Sequence, residues 1–179
     1  MIRKSGKILA CLAAVAAAVL LLPAAPAGAS GGEHRVQVFT HFQDDGIGVP
    51  SSIPCPNGQA IQGDADFGLE PGDTWHGRSV YDLCLVPTSM PGVFTYSGVE
   101  TFTGTVDGCG TGTMTYDLRD GVIQLVPDPT APNGFQRWTI RPGAGTGGLS
   151  GVSGGQGVAI FTIQTTLANE GFFAGFLTC

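Results

Sequence analysis

From residue 34 onward, glycine or proline breaks nearly every junction between apolar stretches, and nowhere does a 3.6-residue apolar period persist for about ten residues. A chain punctuated in this way cannot sustain helices, so short strands joined by tight turns remain. "HRVQVFTHF" (34–42) alternates, with Val36, Val38, Thr40 and Phe42 on one face and Arg35, Gln37, Phe39 and His41 on the other. "VETFTGTVDG" (99–108) sets Val99, Thr101, Thr103 and Thr105 against Glu100, Phe102, Gly104 and Val106. "GTMTYDLRD" (112–120) follows after only "GCGT", the mark of a hairpin. Further strands are read at 59–68, 75–86, 121–127, 135–142, 157–167 and 171–179. Eight or nine such strands predict an all-β fold, a single closed antiparallel β-barrel of about eight strands, since closure leaves no bare edge.

The chain opens with Arg3, Lys4 and Lys7, then the apolar run "ILACLAAVAAAVLLL" (8–22) and the small-residue pattern Ala27-Gly28-Ala29. This is the pattern of a secretory signal peptide at 1–29, followed by one secreted β-barrel domain at 30–179. Its removal leaves five arginines, no lysine and fourteen acidic residues, a formal charge of about −9. Such a surface repels phosphate backbones and anionic headgroups, so neither nucleic acid nor a membrane is an expected partner. Four cysteines remain: Cys55, Cys84, Cys109 and Cys179. An even count without C-x-x-C in an exported chain predicts two disulfides, and three pairings are open to them. Cys55–Cys84 with Cys109–Cys179 is the pairing expected, because it ties down the C-terminal strand.

"RPGAGTGGLSGVSGGQG" (141–157) contains the Gly143-x-Gly145-x-x-Gly148 spacing of a dinucleotide-binding fingerprint. That fingerprint needs a helix after the glycines, and "LSGVSGGQG" is a poor helix former. The glycines are read instead as a tight turn where backbone packs on backbone, and no cofactor is expected. The same stretch, within "WTIRPGAGTGGLSGVSGGQGVAIFT" (138–162), resembles the G-T-G-x-(F/L)-x-G-x-x-G segment of the allene oxide cyclase-like and dirigent-like β-barrels. "ETFTGTVDGCGTGTMTY" (100–116) resembles the F-T-G-x-(L/V)-x-G hairpin of small bacterial proteins in that group. The resemblance implies an eight-stranded barrel with a central cavity and, in many relatives, a flexible hydrophobic substrate held in a reactive fold. It carries over no catalytic residue, because the matched positions are structural glycines.

Several side chains are weighed for chemistry. Asp64, Asp66 and Glu70, in "GDADFGLEPGD" (63–73), faintly resemble the front half of a calcium loop but lack its bidentate Glu. Asp44 and Asp45 in "HFQDD" read as a solvated acidic turn. Glu100, on the inner face with Tyr81, Tyr96 or Tyr116 nearby, would gain an acid/base pKa if buried; its place near the predicted strand start argues for solvation. Trp75, in "PGDTWHG" (71–77), is an exposed loop anchor for a partner if that segment is a loop. The leading expectation is a secreted barrel that binds a small hydrophobic molecule or an extracellular partner. The alternatives are a cyclase or isomerase using Glu100 and Tyr81, and an inhibitor or structural protein acting through surface loops.

Overall fold

The computed structural model describes residues 33–44, 48–125, 131–163 and 169–179; the expected signal segment and Asp45 lie outside them. The described strands are β1 (Arg35–Asp44), β2 (Val49–Pro50), β3 (Gln59–Phe67), β4 (Trp75–Pro87), β5 (Val93–Val106), β6 (Gly110–Gln124), β7 (Gly134–Ile140), β8 (Gly154–Thr162) and β9 (Asn169–Thr178). From β3 to β9, sequence neighbours pair antiparallel. β1 closes the sheet, pairing with β9 along its full length and with β3 from Phe42↔Phe67 to Asp44↔Ala65. The result is a closed eight-stranded antiparallel barrel, with the short β2 laid along the rest of the β3 edge.

Two predicted strands, 112–120 and 121–127, are one. β6 is a single strand of 15 residues carrying a bulge between Arg119 and Val122, with Asp120 at φ 52°. The bulge inserts an extra residue and moves the inward positions from Met114, Tyr116 and Leu118 to Gly121 and Ile123. A broken period looked like a strand boundary. β5 begins at Val93, six positions earlier than its alternation suggested, so Glu100 lies in mid-strand.

One end of the barrel is solid. Trp75, Phe102, Tyr116, Trp138 and Phe173 pack there with ring centroids 5.3–6.3 Å apart, a spacing at which aromatic pairs attract beyond their area burial. Trp75 is therefore not the exposed anchor its loop reading allowed. It is the first residue of β4, points inward and is 0% exposed. The preceding turn is short because Asp73, itself buried, ties it down. Its carboxylate accepts hydrogen bonds from the backbone N–H groups of Glu70 (2.9 Å) and His41 (3.0 Å) and pairs with His41 Nδ1 (2.8 Å). Burial raises the Asp73 pKa, but those donors and the His41 charge outweigh it and hold the net value below the ordinary carboxylate range.

The glycine-rich segment caps the same end. β7 leads into it, but a five-residue 3-10 turn (Gly147–Gly151) and then β8 follow, so no long helix is present to receive a pyrophosphate. Leu149 from this turn is fully buried under the barrel end. Backbone lies on backbone as expected: a methyl group at Gly112 would sit 1.9 Å from the Thr146 carbonyl oxygen.

The disulfides are Cys55–Cys84 and Cys109–Cys179, with Cα separations of 5.1 and 5.5 Å. The first clips the segment before β3 to the outside of β4. The second joins the end of the chain, just past β9, to the β5–β6 hairpin at the solid end. Both fit an oxidising, extracellular compartment.

Candidate functional site

The other end of the barrel is hollow. A cavity of about 230 Å³ lies among the last residues of β4 and β6 and the first of β3 and β5. Its wall is mostly apolar, with Phe42, Ile61, Leu83, Leu118, Ile123 and Phe161 prominent. Alternation accounts for this, since each belongs to the inward set of its strand.

A polar row crosses the cavity floor. Tyr81 on β4 is the register partner of Glu100 on β5, and Glu100 is the partner of Tyr116 on β6. Side chains directly opposite in register share a face, so all three turn inward. Asp44 enters from the end of β1. Tyr81 donates its hydroxyl hydrogen bond to Asp44, and Ser79 donates to Glu100. Asp44 is 6% exposed, Tyr81 8% and Glu100 3%. Tyr116 lies close to Glu100 and Ser79, but its buried hydroxyl completes no hydrogen bond of good geometry. Nearer the opening, Tyr96 donates to Gln136 Oε1 at 2.6 Å.

Two glycines make room for the tyrosines. A methyl on Gly63 would lie 2.2 Å from the Tyr81 hydroxyl, and one on Gly121 would lie 2.5 Å from the Tyr96 ring. Each ring therefore lies flat over a position without a side chain, which fixes where its hydroxyl points.

The electrostatics follow from burial. Loss of hydration raises the Glu100 pKa to about 7; the hydrogen bond from Ser79 and the nearby Tyr116 hydroxyl oppose the rise, and the charge on Asp44 adds to it. Burial, reinforced by the nearby carboxylates, pushes Tyr81 well above the ordinary phenol value. Tyr96 and Tyr116 rise for the same reasons, burial first and Glu100 second. The tyrosines stay neutral donors at any ordinary pH, while Glu100 exchanges its proton near neutrality.

The sign of the stability effect is fixed. Glu100 titrates near 4.5 when solvated and near 7 in the fold, so the fold carries no charge-burial penalty below about pH 4.5. Stability attributable to this group falls as the pH rises through 7, approaching a loss of about 3 kcal/mol. Glu100→Gln is expected to remove that slope and to be the more stable protein at pH 8.5, as urea titrations at pH 5 and 8.5 will read.

The other sequence-predicted positions are scattered. Asp64 and Asp66 belong to β3, not to a loop, and alternation turns both outward. Asp64 pairs with Arg78 on the neighbouring strand, and Glu70 lies in the turn beyond. A strand cannot wrap these carboxylates round one ion, so the calcium-loop reading is corrected. Among the described residues, no three His, Cys, Asp or Glu side chains converge as a metal site. Asp44 is also corrected. Instead of belonging to a solvated turn, it is the last inward residue of β1, continuing the Val38, Thr40, Phe42 series. Extending that alternation by two would have found it. Ser79 and Gln136 were missed because a polar residue inside an apolar strand carries no signal of its own, and Asn169 because β9 begins two residues before the strand read from 171.

Fold and site together define the class: a closed antiparallel barrel, solid at one end and hollow at the other, with a buried carboxyl–tyrosine row between. No protein-family model matches the chain, and no curated protein sequence matches it.

Proposed function

We propose that this protein is a secreted binder of one small hydrophobic molecule, held in the hollow end of the barrel. The observation that carries the reading is the cavity itself, about 230 Å³, apolar on its walls and polar only at its floor and one side. A site with that division buries a ligand's body and fixes its orientation through a few polar groups. The resemblance of 100–116 and 138–162 to the allene oxide cyclase-like and dirigent-like barrels supports the same use of the interior. The arginine- and lysine-poor surface and the two disulfides support a place outside the cell.

Leu83→Trp tests it. Leu83 points into the cavity from β4, and an indole there fills the space that a ligand would take. In the wild type, small hydrophobic probes such as indole or naphthalene are expected to raise the melting temperature. In Leu83→Trp that shift is expected to vanish while circular dichroism keeps its β signature. A variant that folds and still shows the full shift sinks the reading.

One observation favours a second reading, a cyclase or isomerase that works by positioning its substrate. Glu100, with a pKa of about 7, lies in the cavity beside the neutral phenol of Tyr81, which is what a general acid/base and a hydrogen-bond donor require. It predicts turnover lost in Glu100→Gln with ligand binding kept. Action through a surface loop loses its anchor, since Trp75 is in the core.

A further inference from the structure

We propose that the molecule held in this cavity carries a neutral carbonyl oxygen, which accepts a hydrogen bond from the side-chain amide of Gln136 while an apolar body fills the rest of the space. The inference rests on the reading of the cavity as a ligand site and names the chemistry of the occupant. Gln136 is an inward residue of β7, 5% exposed, on the cavity wall. The next inward residue on one side is Trp138, in the aromatic packing of the solid end; on the other it is Gly134, over which the Phe161 ring lies. Across the sheet, Gln136 stands opposite Ala159 on β8 and the β6 bulge that holds Gly121. The inward positions beside it are therefore the two smallest residues, which leaves room around the carboxamide.

A carboxamide offers two donor hydrogens on its nitrogen and an acceptor oxygen. The oxygen is taken. Tyr96 Oη lies 2.6 Å from Gln136 Oε1, an ordinary length for O–H···O and shorter than N–H···O bonds run, so the oxygen and not the nitrogen faces the phenol. The Tyr96 ring lies flat over Gly121, which fixes that contact. Gln136 Nε2 is thereby turned away from Tyr96. Its two N–H groups open on the cavity and meet no acceptor among the described residues. A donor shut away from bulk water is costly until an acceptor meets it.

The floor of the cavity is already engaged, since Tyr81 donates to Asp44 and Ser79 to Glu100. The free group is a donor on the wall, and its complement on a ligand is an acceptor. That acceptor is neutral: among the described residues lining the cavity there is no arginine, lysine or histidine, so a carboxylate or phosphate finds no counter-charge. A carbonyl suits the place better than a hydroxyl, because it brings no donor of its own to be met by an apolar wall. Size sets the body. A dry cavity of about 150 Å³ takes benzene, so one of about 230 Å³ suits an apolar ketone, ester or lactone of about ten heavy atoms.

Calorimetry on the full oxidised chain decides the matter with two isosteric probes, acetophenone and α-methylstyrene, which differ only in an oxygen that replaces a methylene. Gln136→Met keeps the length of the side chain and removes the donor. The ratio of ketone to hydrocarbon affinity is expected to fall about tenfold in that variant, the effect of leaving one buried acceptor unmet. Melting curves show whether it is folded. A second readout uses the wild type alone: in ¹⁵N-labelled protein, the side-chain NH2 protons of Gln136 are expected to move downfield with acetophenone and not with α-methylstyrene. A ratio unchanged in the folded variant, or an NH2 pair that responds alike to both probes, overturns the carbonyl assignment and leaves the hydrophobic cavity standing. Failure of both probes to bind overturns the cavity reading with it.

Discussion

Replacing Cys109 and Cys179 together by serine is expected to lower the unfolding free energy by about 4 kcal/mol, from the entropy returned to a long unfolded loop. The two cysteines are 70 residues apart in sequence, whereas Cys55 and Cys84 are 29 apart. Loop-closure entropy grows only logarithmically, so the Cys55–Cys84 pair is expected to contribute somewhat less. A domain of this size has about 5–15 kcal/mol in total, so loss of the longer bridge leaves it marginal. Its position adds to the effect. Cys179 exchanges two backbone hydrogen bonds with His34, the N–H of each donating to the carbonyl oxygen of the other at 2.9 Å, so the bridge also holds the join between β1 and β9. Guanidinium titration of the double variant beside the wild type gives the number. A loss below about 1 kcal/mol would mean that β-pairing alone pins this end.

Trp75→Ala is expected to cost about 4 kcal/mol, the range seen when a large aromatic is removed from a packed core. Its ring contacts Phe67, Phe102, Tyr116, Trp138 and Phe173, and it is fully enclosed. Trp75→Phe keeps most of that packing and removes an indole N–H that has no partner, so it is expected to cost far less than the alanine. A surface anchor behaves in the opposite way, with alanine changing stability by less than about 0.5 kcal/mol. Denaturant curves for the two variants separate these outcomes cleanly.

Strand parity was the most legible feature of this sequence. It placed Val38, Thr40 and Phe42 inward on β1, and Glu100, Phe102 and Val106 inward on β5, as found. Period-two alternation survives because each inward residue packs against neighbours on the same face. Strand ends were less legible, and the site depended on them. Val93–Gly98 does not alternate cleanly, so alternation alone starts β5 beside Glu100 and leaves its carboxyl in solvent. Trp75 follows "PGD" and read as part of a turn, although Asp73 closes that turn two residues earlier. On β6 the bulge at Asp120 hides the continuity that carries Ile123 into the cavity wall. What a sequence cannot show is depth: the same alternation describes a barrel filled throughout and one filled at a single end. Here the bulky residues, Trp75, Phe102, Trp138 and Phe173, fall at one level only because the strand register aligns them.

The way β1 closes the sheet sets the order in which the molecule can assemble. Strands β3 to β9 zip through neighbours in sequence, each waiting only for the next hairpin. β1 must wait for a partner about 130 residues downstream, the kind of distant pairing that slows folding. Until β9 arrives, the growing sheet exposes a bare edge, and β1 has only its short pairing with β3, from Phe42↔Phe67 to Asp44↔Ala65. A growing chain therefore passes its most aggregation-prone moment just before its last strand docks. Closure of that seam, with the Cys109–Cys179 bridge beside it, is the step at which an open ribbon becomes a vessel.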